Sequence, residues 1–228
     1  MAAGLPAALL GLALAAAPLV TLAQTPPSAD ERAAYQSLHR AAAQGDLDAI
    51  RRQVGDKAAR EARDGNGRTP LHVAAFARQA EAARALMAGG ADANALDHQR
   101  YDIITIAAVA NDLAMLKTAI GGGANPRNVT SPYDGTALIA AAHLGHAEVV
   151  ETLIQAGAPL DHVNNLGWTA LIEAVILGDG GANHQRVVRA LLAAGADRRI
   201  ADRQGRTPLD HARARGYGAM IAMLESGR

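Results

Sequence analysis

The chain has 228 residues, half of them apolar, yet its aromatic share is only 3%. Lys+Arg and Asp+Glu both number 22, so the net charge is zero and little counterion release is available to drive binding to nucleic acid. The sequence contains no cysteine, which excludes disulfides, thiolate nucleophiles and cysteine-bound zinc.

Leu5 to Val20 form an uncharged apolar run broken by Pro6, Gly11 and Pro18. Thr21-Leu22-Ala23 then places small residues where a signal peptidase reads, and polar Gln24-Thr25-Pro26-Pro27 follows. This layout predicts a secretory signal over residues 1–23, cleaved after Ala23. No Lys or Arg precedes the run, so an uncleaved anchor is the alternative, but the span is short for a bilayer and contains helix breakers. The expected mature protein is periplasmic or secreted, with no stable membrane insertion. Residues 24–34 are expected to form a flexible tether.

From residue 35 onward one pattern recurs. Thr69-Pro70-Leu71-His72-Val73-Ala74-Ala75 has copies beginning at Thr136, Thr169 and Thr207, and weaker ones at Gln36 and Asp102. The starts at 36, 69, 102, 136, 169 and 207 are 33, 33, 34, 33 and 38 residues apart. A second marker slips by the same amounts: Gly90-Ala91-Asp92, Gly123-Ala124-Asn125, Gly157-Ala158-Pro159 and Gly195-Ala196-Asp197. A fixed period of this length signals stacked supersecondary units. Threonine can cap a first helix, proline suits its first turn, paired alanines permit close helix approach, and glycine supplies a left-handed stop.

These residues resemble the ankyrin repeat family. The resemblance covers residues 35–225 and implies an all-α solenoid, with a helix-turn-helix and a hairpin loop in each repeat. Three departures stand out. The copy at 102 keeps the spacing but loses Thr-Pro-Leu-His, so a looser cap is expected there. Gln36 replaces threonine in the first copy. An insertion, Gly178 to Gln185, stands where a short turn would normally join two helices. The stretch from Asp161 through Gly181 is similar to a bacterial subgroup carrying the same long turn, which implies no assigned activity.

No catalytic constellation emerges. Ser28, Ser37, Ser131 and Ser226 lie outside any Gly-x-Ser-x-Gly setting, and His-Glu-x-x-His and a phosphate-cradling loop are both missing from the sequence. The protein is therefore expected to be no enzyme and to hold no cofactor or metal. His39 and His72 take the repeat's own histidine position, where the ring ties hairpin to helix, and His146 fills the usual Gly-His turn. His143 and His146 offer two possible metal ligands with no evident third. Asp179 and His184 in the insertion, with Glu173 on the preceding helix, are the best polar cluster. A surface loop is the plain expectation there, partner contact the sharper one, and a metal- or ligand-binding or hydrolytic role a third.

In such a stack the hairpin tips and the exposed sides of the first helices share one face. Residues at i, i+3 and i+4 along each first helix group Phe76 with Val73, Val109 with Ile106, and His143 and Leu144 with Ala140. The same spacing groups Ile176 and Leu177 with Glu173. The residues before the threonine positions supply the tips: Arg68, Tyr101, Trp168 and Arg206, with Tyr133 two residues before Gly135. Tyr, Trp and Arg dominate binding energy at protein interfaces. The row is therefore expected to contact a protein partner, and removing Tyr101 and Trp168 together is expected to leave stability nearly unchanged. Shielding of the hairpins is the competing reading. Charge along the chain is uneven: residues 90–185 carry three basic and ten acidic side chains, and residues 186–228 nine and four. The expected function is a monomeric adaptor; an inhibitor or immunity-type protein would use the same surface.

Overall fold

A computed structural model describes residues 24–226, so the signal expected over residues 1–23 lies outside the described residues. Six helix pairs follow one another. The first members are α2 (Ser37–Gln44), α5 (Pro70–Phe76), α7 (Ile103–Val109), α9 (Ala137–His143), α11 (Ala170–Ile176) and α13 (Pro208–Arg215). Their partners are α3 (Leu47–Gln53), α6 (Ala80–Ala88), α8 (Leu113–Gly121), α10 (Ala147–Gln155), α12 (Ala182–Ala193) and α14 (Gly218–Glu225). Two short helices, α1 (Ala29–Ala34) and α4 (Lys57–Arg60), complete the described chain. First helices stack on first helices and second on second, each touching mainly its neighbours in sequence.

The period acts through repeated local devices. Thr69, Thr136, Thr169 and Thr207 each cap a first helix through the hydroxyl. Asp102 does the same work in the copy expected to be loose: its carboxylate accepts the Thr105 amide at 2.8 Å and the Thr105 hydroxyl at 2.7 Å. A charged acceptor makes a stronger cap than a hydroxyl, so the lost threonine has been replaced by its better. Behind the caps, Leu38, Leu71, Ile104, Leu138 and Leu171 are all 1% exposed or less and form one row between the layers. Burial of each such side chain contributes about 1.5–3 kcal/mol. Ala42, Ala74, Ala108, Ala142 and Ala174, fully buried beside them, let the first helices approach closely.

The hairpin tips share a further device, outside the repeat markers. Five residues before each cap, Asp64, Asp97, Asn164 and Asp202 each accept two tip amides, two and four residues ahead, at 2.9–3.0 Å. Ser131 does so more loosely. The tip residue between these amides takes positive φ and is Gly67, Gly167 or Gly205, but Arg100 in the third copy, at φ 64°, and Asp134 in the fourth, at φ 51°. Adjacent tips join through backbone bonds, Ser131 N–H to Arg100 O at 3.0 Å and Asn165 N–H to Tyr133 O at 2.9 Å.

The stretch expected to be a flexible tether is instead built into the first tip. Ser28 and Glu31 form a capping box at the start of α1. Glu31 then pairs with Arg68 and accepts the Asn66 amide at 2.6 Å. Thr25 accepts from Arg68 at 3.2 Å and donates to Gln99 at 3.2 Å, and Pro27 is buried. A chain segment making this many specific bonds is held, because each buried partner would otherwise lack one.

The insertion is also ordered. Its second half extends α12 to 12 residues, against 9 in α10. Its first half is tied down by Tyr217, which donates to the Gly178 carbonyl at 3.0 Å, and by Gln185, which donates to the Gly180 carbonyl at 2.8 Å.

Candidate functional site

The tips and first helices of the middle repeats enclose a hollow of about 340 Å³. Tyr101, Val109, Tyr133, His143, Leu144, Trp168, Glu173 and Leu177 all line it, so eight of the residues expected on the binding face meet in one place. Thr105, Ser131, Ile139, Asn164, Leu166 and Gln24 line it too and had not been anticipated. Asn164 and Ser131 belong to the tip device, and their regular position five residues before the caps was the available signal. Leu144 is 42% exposed and is the one exposed large apolar side chain of the described residues that borders the hollow.

The walls owe their composition to the repeat. Tip residues stand on one rim, and Val109, Ala140, His143, Leu144, Glu173 and Leu177, which lie four, seven or eight residues after their caps, stand on the other. At the fourth position Val73 and Ile106 are 1% exposed and apolar, and Ala140 is small. Glu173 occupies this position in the fifth copy with 5% exposure, placing a carboxylate where its predecessors carry hydrocarbon. It accepts the Asn164 side-chain amide at 2.7 Å, and its second oxygen lies 3.5 Å from His143 Nδ1. The equivalent pair in the last copy joins Asp202 to His211 at 2.7 Å. Burial works to raise the Asp202 carboxyl, but the Arg206 amide, His211 and the Gln204 amide outweigh it and hold the group below its ordinary range.

The remaining expected contacts are elsewhere. Arg68 is fully buried: its guanidinium donates to Asp64 at 2.6 Å and also pairs with Glu31, so the segment ahead of α2 has covered it. Burial would raise the Asp64 carboxyl, yet the hydrogen bonds from Tyr35, from Arg68 and from the Asn66 amide leave it below its usual value. Phe76 and Ile176 are partly buried and outside the hollow; Phe76 packs against the core. Tyr101 is only 5% exposed and belongs to the core as much as to the hollow. Burial, the charge of Asp97 and the neighbouring Tyr133 push its hydroxyl up to about 12. Burial of the side chain predicts that removing Tyr101 costs stability, where nearly no cost was expected from sequence for removing Tyr101 and Trp168 together.

His184 is buried too. Its ring bonds Asp179 at 2.8 Å and the His143 carbonyl at 2.9 Å, which makes it a brace between repeats and leaves no nitrogen for a partner. The ring lies over Gly145, where a Cβ would come within 2.9 Å of it. Asp179 and Arg206 are exposed but lie outside the hollow, Arg206 3.6 Å from Asp202. His39 and His72 bond the carbonyls of Arg68 and Tyr101 at 3.0 and 3.1 Å, tying helix to hairpin as expected. His146 bonds the Ala108 carbonyl at 2.9 Å.

Among the described residues no three His, Asp or Glu side chains converge to hold a metal ion, and no helix is long and apolar enough to cross a membrane. A larger hollow of about 660 Å³ lies between the second helices α6 and α8. Its lining has no aromatic residue, and its Arg84 and Glu81 pair with each other at 3.3 Å.

Comparison with known proteins gives a consistent picture. A family model described as ankyrin repeats (3 copies) matches residues 38–118 and 104–197. The chain is 32% identical over 185 residues to the ankyrin repeat protein YahD of Escherichia coli K12, covering 81% of this chain and 92% of that one. A crystal structure of an ankyrin repeat domain from Acinetobacter baumannii superposes with a TM-score of 0.77 at 46% identity, covering 82% of this chain and 95% of that one. A second solved ankyrin repeat protein, EF0377, superposes with a TM-score of 0.78 at 32% identity, covering 85% of this chain and all of that one.

Proposed function

The chain belongs to the ankyrin repeat family, and we propose that it is an exported, non-catalytic adaptor that holds another protein against its hairpin-side face. Ankyrin repeats generally mediate protein–protein interaction, and the family is typically a non-enzymatic interaction fold. One observation carries the assignment of the face. Partly exposed Tyr133 and Trp168 and exposed Leu144 border an apolar hollow that the solenoid's own packing leaves open. Aromatic anchors beside a pocket are the arrangement in which interface energy concentrates.

Export rests on the apolar run and small-residue site ahead of Gln24. The mature protein would then work in the periplasm or outside the cell.

Site-directed photocrosslinking tests the face. A benzoylphenylalanine placed at Leu144 is expected to form a discrete protein adduct in the source cells, and one placed at Lys117, on the second-helix side, is not. Adducts from position 117 alone would assign binding to the opposite side. N-terminal sequencing of protein from the periplasmic and extracellular fractions is expected to begin at Gln24; an intact residue 1 would refute export with cleavage.

A further inference from the structure

The hollow's charge is one-sided. Its lining includes a carboxylate, Glu173, but neither Lys nor Arg. Two tip-to-helix pairs occupy equivalent places in the fold and differ in charge. In the last copy, Asp202 faces His211, a side chain able to carry a compensating proton. In the fifth copy, Glu173 faces Asn164, a neutral amide. His143 is the other ionisable group beside Glu173, at 3.5 Å, beyond a good hydrogen bond. A buried carboxylate can accept about four hydrogen bonds and is costly to leave partly compensated. Tyr133 and Trp168 belong to the same lining, and the face of an aromatic ring favours a cation.

We propose that the hollow admits a basic side chain of the partner protein, arginine by preference, whose cation pairs with Glu173 while its planar head and stem lie against Tyr133 and Trp168. Arginine suits the place better than lysine because a planar guanidinium both stacks on an aromatic ring and forks onto a carboxylate. Gln24, whose α-amino group would be charged in a chain cut after Ala23, must swing out of the hollow for that side chain to enter; its side-chain amide nitrogen is buried without a hydrogen-bond partner among the described residues, so the movement breaks no bond of that nitrogen there. The acidic balance of residues 90–185 draws a basic partner segment to the same region. The inference rests on the proposed docking face and adds the chemistry of what enters it.

Randomised dodecapeptides displayed on phage and selected against the purified protein provide the test. Glu173→Gln keeps an oxygen for Asn164 and removes only the charge; circular dichroism and the melting temperature check its fold. Enriched peptides are expected to carry arginine at one fixed position among apolar neighbours. Trp168 is the chain's single tryptophan, so its fluorescence reports binding of a synthetic copy. Affinity is expected to fall more than about tenfold when that arginine becomes citrulline or when Glu173→Gln is used. Peptides that need Leu144 but have no fixed basic residue, or whose arginine is indifferent to Glu173→Gln, would overturn the inference and leave the docking face standing. Failure to recover any peptide whose binding is lost in Leu144→Asp would overturn both.

Discussion

Arg68 and Trp168 stand at the same place in the repeat, one residue before a threonine cap, and meet opposite fates. Arg68 is sealed: Glu31, Asp64 and the Thr25 carbonyl take its donors, and no part of it reaches solvent. Trp168 stays partly exposed and lines a hollow. The repeat fixes where the tip is, and the covering segment decides what the tip does. At the N-terminal end residues 25–34 close over the face; among the described residues Gln24 alone of this segment reaches the central hollow. An ankyrin stack can thus turn one motif position into a clamp at its end and the rim of an open hollow at its centre.

Truncation along this row would break or uphold the comparison. Arg68→Ala is expected to cost about 3–5 kcal/mol, because it leaves two carboxylates without their buried cation. Tyr101→Ala is expected to cost about 3 kcal/mol through the space left by a ring that is almost wholly covered. Trp168→Ala should stay within about 1 kcal/mol. Urea unfolding of the three variants checks the order. A Trp168→Ala variant as damaged as Arg68→Ala would show that the central tips are as closed as the first.

The repeat period, the threonine caps, the histidine ties and most of the hollow were legible in the residues, because each depends on contacts within one repeat or between neighbours one period apart. The tip acceptors were legible as well but went unread: Asp64, Asp97, Ser131, Asn164 and Asp202 all lie five residues before a cap. What the pattern could not disclose was coverage. The burial of Arg68 depends on Glu31, 37 residues earlier and outside the repeating pattern. The brace at His184 depends on the His143 carbonyl, 41 residues away, reached because the insertion lengthens α12.

That brace gives the next comparison, between two neighbours in one turn. His184→Ala removes a buried ring and strands the His143 carbonyl, an expected loss of about 2 kcal/mol. Asp179→Ala is expected to lower the melting temperature less, since its carboxylate, although it accepts the His184 ring and the Gly181 amide, faces solvent. If the two variants behave alike, the turn is a surface loop and not a tie between repeats. Loss of partner crosslinking in Asp179→Ala with the fold intact would extend the binding face to the insertion.

Acid should separate the two regions by the smallest margin. Burial holds His72 below the ordinary histidine range, outweighing the nearby Asp97 charge and the bond to the Tyr101 carbonyl. An unfolded chain takes up this proton near pH 6.5, and the folded chain resists it. As pH falls through that value the unfolded state binds more protons, so stability drops with falling pH and is fully present above it. The Asp64 and Asp202 carboxyls, both lowered, contribute a further loss only near and below pH 4. Mild acid therefore tests the closed, N-terminal part of the stack through His72 before any carboxylate titrates. Proton NMR of the His72 ring is expected to show it titrating below the ordinary histidine range, while hydrogen exchange speeds up first in α5 and α7. Protonation of His72 in the folded chain at its ordinary value would mean that the first tips are open to water, and the contrast with the central hollow would be lost.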